Sequence, residues 1–188
     1  LIKKIFASVW RQGLGVLFGY GVTQLSLIML VSGVGAGASA SVLLAVRYLN
    51  FTNIVAQVPF YVKIPAMSQL RSNLNNVAAD SIAKERMTHS LLLFICGAVV
   101  TFIVLPSYLD FVNSSVGFVG LDVWTLLCIG AIFERIGAMQ LMVMATHNVI
   151  YAHVAALVFA IPFLATLALT FSLIGADSYV VSFVIGNI

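Results

Sequence analysis

Charge is what this sequence has least of. Only 8% of its 188 residues are Asp, Glu, Lys or Arg, while 62% are hydrophobic and the mean hydropathy is +1.11. A water-soluble domain covers itself largely with charged and polar side chains. This chain has too few to do so, which excludes an ordinary soluble globule and makes hydrocarbon the solvent to reason from. Cysteine is scarce too. Cys96 and Cys128 sit inside apolar runs without metal-ligand spacing and read as small apolar fillers, so a secreted disulfide framework is excluded. There is no nucleotide-binding loop, HExxH, nucleophile elbow or paired-cysteine redox motif. The sequence therefore implies no cofactor and offers no constellation of acid, base or metal ligands for an enzyme. The basic residues form no aromatic-rich patch or helix stripe, so nucleic acid is not a partner. The first apolar run is too long for a signal-peptide core and has no small-residue cleavage pattern before it.

Long apolar runs are present instead. A helix needs about 20 mainly apolar residues to span the hydrocarbon. Residues 14–33, 38–58, 91–109, 120–145 and 152–173 each qualify, and a sixth run, 178–188, is cut off by the C-terminus. The expectation is an all-α polytopic membrane protein, read as a piece of a longer chain. Residues 1–11 form an interfacial lead-in, with lysines and Trp10 at headgroup depth. Residues 66–88 are polar and of mixed charge, which predicts a cytoplasmic helix or helical hairpin on the membrane surface.

The few charges are asymmetrically placed. Lys3, Lys4 and Arg11 precede the first run, and Lys63, Arg71, Lys84 and Arg86 separate the second from the third. The alternate connections carry Asp110, Asp122 and Asp177 without a basic residue. The positive-inside rule then puts the N-terminus of this segment and the 63–90 region in the cytoplasm.

Proline and glycine mark local features. Pro59 predicts a kink or helix end, and Pro162 predicts a bend. Gly15 and Gly19 form a small-xxx-small pair suited to close helix packing.

Polar groups inside the runs are the candidate functional residues. Arg47 lies about 16 Å from the outer end of its run at 1.5 Å per residue, near the midplane. A guanidinium does not shed its proton there and needs a carboxylate, a polar cavity or an anionic ligand. Arg47, Asn50, Gln57 and Tyr61 fall in one sector at 100° per residue, with Ile54 among them and Asn53 pointing elsewhere. This stripe either lines a water-filled path or hydrogen-bonds to neighbouring helices. Glu134 and Arg135 lie at a similar depth in the fourth run. Glu134 is placed to meet Arg47, with Gly130 and Gly137 permitting close approach, and Arg135 then needs its own partner. The pair is either a structural clamp or a charged cavity wall. Lys63, Gln140, His147 and Asn148 lie nearer the cytoplasmic end and form a candidate inner mouth for a hydrated substrate.

Three stretches carry a family resemblance: WRQGLGVLFGYGVTQLSLIM at 10–29, LLAVRYLNFTNIVAQVPFYVKIPAMSQLR at 43–71, and ERIGAMQLMVMATHN at 134–148. Together they resemble the second half of a bacterial polysaccharide flippase-type protein, of the O-antigen and exopolysaccharide kind, in the multidrug/oligosaccharidyl-lipid/polysaccharide exporter superfamily. The last stretch departs from the family pattern by losing polar residues. The resemblance implies one six-helix lobe of a two-lobed transporter, its last helix truncated, in the bacterial inner membrane. It implies movement of polyprenyl-pyrophosphate-linked oligosaccharide to the outer leaflet by alternating access. The implied partners are the lipid-linked oligosaccharide, an N-terminal lobe of the same parent chain and glycan polymerase machinery. A coupling ion is a further option, with Glu134 as the titrating group. Arg47 matches diphosphate chemistry, because guanidinium forms bidentate bonds to phosphate oxygens. The rivals are a multidrug or cation exporter of the same superfamily and a non-transporting scaffold of a glycan-assembly complex.

Overall fold

A computed structural model of the chain describes residues 10, 13–15, 17, 21–22, 24–29, 31–33, 36–147, 152–175 and 177–188. The expected lead-in at 1–11 and much of the first run lie outside the described residues, as does Asn148. Residues 24–29 and 31–33 of that run are helical. Beyond them, the described residues form six helices: α1 (Ala36–Tyr61), α2 (Ile64–Ser72), α3 (Asn76–Phe111), α4 (Leu121–Ala145), α5 (Ala152–Ile174) and α6 (Asp177–Asn187). The described residues contain no strand.

Local sequence sets the helix ends. Pro65 occupies the first turn of α2, where a missing N–H costs nothing. Asn75 starts α3 by accepting the Ala78 N–H at 3.2 Å through its side chain. The turn between α2 and α3 passes through Leu74 at φ 59°, a left-handed conformation that non-glycine residues rarely adopt. Gly120 precedes α4 in extended conformation, and Asp122 in the first turn complements the helix dipole. Pro59, Pro106 and Pro162 all lie inside helices, so α1 runs past Pro59 to Tyr61.

Among the described residues, three helical stretches are long and apolar enough to cross a membrane: Ser39–Ser72, Asn76–Phe111 and Leu121–Ala145. Within α5, Val154–Thr170 is a shorter apolar stretch. The 66–88 connection comprises most of α2, the turn at 73–75 and the beginning of α3, with α2 packed on α3. Its second half is the beginning of α3, which continues unbroken into the third apolar run. With 36 residues, α3 is about 54 Å long, well beyond the roughly 30 Å of hydrocarbon. Its turns through His89 are polar, and the apolar part from Ser90 onward is by itself long enough to cross the hydrocarbon. That part exposes Leu92, Leu93, Ile95, Val99, Val100, Ile103 and Val104. A row of this kind suits lipid and is costly in water.

α1 packs on α3 and α4, α2 on α3, and α6 between α4 and α5. The main core joins Val46 and Leu49 of α1, Phe94 of α3, Leu127 of α4, Phe163 of α5 and Tyr179 of α6. A smaller cluster of Phe60, Met67, Ala83 and Met139 lies under the α2 end. Glycine allows close approach of α4 to α6. A Cβ at Gly130 would meet Phe183 Cδ1 at 2.8 Å and the Val184 Cα at 3.4 Å. On the α1–α3 seam, a Cβ at Gly97 would stand 2.7 Å from Thr52 Cγ2.

Candidate functional site

The α1, α4, α5 and α6 helices enclose an open cavity of about 540 Å³. Most of its wall is apolar: Val46, Leu49, Leu141, Met142 and the rings of Phe133, Phe159 and Phe183 among others. Its polar groups are few. They are Asn50 from α1, Glu134 from α4, and Tyr179 and Asn187 from α6. Cavities of this size with a few convergent polar groups in apolar walls are the usual form of small-molecule sites. Gly137 also lines it, with open space where a Cβ would stand.

Helical periodicity explains how α1 serves this wall. Val46, Leu49 and Asn50 lie on neighbouring turns, with the apolar pair buried and Asn50 at the margin. Arg47, Ile54 and Tyr61 are exposed along the same side, and Gln57 is half-buried. The stripe expected from 100° periodicity is thus an open face of the helix. Arg47 itself does not line the cavity, and it forms no ion pair or hydrogen bond among the described residues. The Arg47–Glu134 pair is not formed. Asn50, one turn beyond Arg47, meets the cavity that holds Glu134.

Arg135 lies behind Glu134, away from the cavity, and is only 1% exposed. One residue of helix turns a side chain by 100°, so the two adjacent charges serve different surfaces. The Arg135 Nε–H donates to Ser90 Oγ at 3.0 Å, and Nη1 donates to the Asn53 carbonyl at 2.9 Å. Further hydrogen bonds reach the Asn53 side-chain oxygen and, through Nη2, Ser90 Oγ again. Ser90 Oγ in turn donates to the Ala56 carbonyl at 2.7 Å. The Phe94 ring centroid is 5.9 Å from the guanidinium carbon. Arg135 therefore pins α1, α3 and α4 together through neutral acceptors and an aromatic face. Its side chain is engaged in these helix–helix contacts and does not line the cavity.

The expected inner-mouth residues separate. Lys63 is half-buried just ahead of α2, and Gln140 is exposed on α4. His147, just beyond α4, hydrogen-bonds with Arg71 of α2, whose Nη2 also contacts Asp80 of α3 at 2.7 Å. His147 thus belongs to a clasp between helix ends.

Several residues of this geometry carried no clear signal in the sequence. Ser90 and Asn53 are single small polar residues, indistinguishable by type from ones that bond their own helix. Tyr179 and Asn187 fall in the sixth apolar run, 178–188, which is too short for a depth to be counted along it. Among the described residues no cluster of three or more His, Cys, Asp or Glu could hold a metal ion.

No family model matches the chain, and no curated protein or solved structure is significantly similar to it.

Proposed function

We propose that the chain forms part of a membrane transporter that moves polyprenyl-pyrophosphate-linked oligosaccharide from the cytoplasmic to the outer leaflet by alternating access. The observation that carries this reading is Arg47, exposed and without a carboxylate partner among the described residues, about 16 Å along an apolar helix. A guanidinium at that depth is too costly to face hydrocarbon. Water, protein or an anion must meet it, and a diphosphate fits its geometry through paired N–H donors.

The rest of the open face supports the same cargo. Asn50 and Gln57 offer amide groups to sugar hydroxyls, while the polyprenyl tail stays in lipid. No bond is made or broken, so the chain acts as a transporter and not an enzyme. The alternation of basic and acidic connections supports a cytoplasmic N-terminus for this segment, in a bacterial inner membrane. A second lobe of the same parent chain would complete the path, and polymerase machinery would receive the product outside.

A second reading, export of organic cations, draws on a separate observation. Glu134 is the only charged residue among the described residues lining the cavity, and four aromatic rings share the wall. A carboxylate with aromatic faces attracts a lipophilic cation.

Transfer of lipid-linked oligosaccharide across vesicle membranes tests the first reading. Arg47→Ala abolishes transfer while leaving the fold intact, and Arg47→Lys retains only part of it. If both variants fold and transfer at the parental rate, Arg47 has no such role. Transfer of a lipophilic cation that is lost in Glu134→Gln, without oligosaccharide transfer, selects the second reading.

A further inference from the structure

The clasp at the end of α4 is independent of any cargo. Arg71 is 5% exposed in its side chain and lies between two partners of different chemistry. Its Nη2 meets the Asp80 carboxylate at 2.7 Å, and Asp80 is 54% exposed. Its Nη1 lies 3.2 Å from His147 Nδ1 and also contacts Nε2 of the same ring. The Arg71 Nε has no hydrogen-bond partner among the described residues.

A guanidinium is always a donor, so the imidazole must accept. Only a neutral imidazole has a free lone pair on one nitrogen. A protonated ring carries N–H on both nitrogens, loses its acceptor and adds a second cation against a buried one. Asp80 already balances Arg71, and being half-exposed it is free to stay with Arg71 when His147 leaves. Other charged groups on the packed elements do not offset this. Lys63 precedes α2, Lys84 is exposed on α3, and Glu85 contacts Arg86 at 3.3 Å and His89 at 3.9 Å.

We propose that Arg71, Asp80 and His147 form a proton-sensitive latch that ties the end of α4 to the α2–α3 elbow and releases it when His147 is protonated. The latch acts on the cavity because α4 supplies Glu134, Gly137, Leu141 and Met142 to its wall. Its last turns are also held by the packing of Met139 against Phe60, Met67 and Ala83 and by their own backbone bonds, such as Thr146 N–H to the Met142 carbonyl at 3.2 Å and His147 N–H to the Met144 carbonyl at 2.9 Å.

Those two amides report the latch by hydrogen exchange on the intact chain in lipid nanodiscs, corrected for the intrinsic pH dependence of exchange. From mildly alkaline to mildly acid pH, their protection falls in the parent chain. The fall is at least about tenfold, a modest part of the repulsion between two unit charges in contact. His147→Gln keeps an acceptor without a titrating proton, so its protection stays high and flat. His147→Lys places a fixed cation there and is low at both ends of the range. Flat protection in the parent, or an equal fall in His147→Gln, overturns the latch. The comparison of the parent with His147→Gln is decisive by itself, even where His147→Lys folds poorly.

Discussion

The Arg135 pin gives a prediction that separates hydrogen bonding from charge burial. Truncating Arg135 does several things at once. It removes a buried cation that is hydrogen-bonded only to neutral acceptors, whose desolvation costs several kcal/mol in a protein interior. It also strips Ser90 and the Asn53 side chain of their donor and leaves a void beside Phe94. The net sign of a single substitution is a difference of large terms, so the informative quantity is a coupling. Interhelical hydrogen bonds in membrane proteins average about 0.6 kcal/mol and reach about 1.7 kcal/mol. A double-mutant cycle between Arg135→Met and Ser90→Ala is therefore expected to couple by roughly 0.6–1.7 kcal/mol. Arg135→Met with Asn53→Leu couples in the same range. Thr101→Val supplies the control, since Thr101 bonds its own helix at the Gly97 carbonyl, 2.8 Å away, and faces Thr52 at 3.4 Å. Its coupling to Arg135→Met stays within about 0.5 kcal/mol. Arg135→Ala is less stable than Arg135→Met by about 1–3 kcal/mol, because Met refills much of the void that Ala leaves. Equilibrium unfolding in mixed micelles measures all of these. Additive Ser90 and Asn53 cycles, no larger than the Thr101 control, would refute the pin.

Other consequences follow from single positions. Gly130→Leu puts side-chain atoms where Phe183 and the Val184 backbone stand; it costs about 1–3 kcal/mol by overpacking, and Phe183→Ala recovers part of that loss in a thermal unfolding cycle. Leu74→Gly relieves the left-handed turn at a side chain that is 87% exposed, and the melting temperature rises by the equivalent of up to about 1 kcal/mol after the entropy cost of glycine. Glu134→Gln leaves the chain folded and alters transport of a lipophilic cation more than transport of an oligosaccharide diphosphate, as read in the same vesicle preparation.

Much of the helical layout is legible in the apolar runs. The expected bounds 120–145 and 152–173 lie close to α4 and α5, because Gly120 and the polar residues after Ala145 punctuate the pattern on both sides. The connection at 66–88 is less legible. Polarity changes at Ser90, but helix propensity does not, so hydropathy marks where the apolar part of α3 starts and says nothing of where the helix begins. The candidate site divides similarly. Periodicity along α1 groups Arg47, Asn50 and Tyr61, since side chains on one helix share a face by geometry alone. It does not say which surface of α4 each half of Glu134–Arg135 faces, because that depends on the rotation of α4 against α1 and α3. Ser90 and Asn53 set that rotation through partners 45 and 82 residues away along the chain from Arg135. Contacts at such separation leave no local pattern.

Transport along this path requires the Arg47–Asn50 face of α1 to meet water in the middle of the membrane. With Cys96 and Cys128 first replaced by alanine, Arg47→Cys and Asn50→Cys can be probed with a membrane-impermeant thiol reagent in sealed vesicles. Ile103→Cys on the apolar face of α3 serves as the reference for lipid. A wet path predicts rapid labelling at 47 and 50, slowed by added lipid-linked oligosaccharide, and little at 103. Labelling at 47 and 50 as slow as at 103 would place that face in lipid or in dry packing and contradict the proposed path.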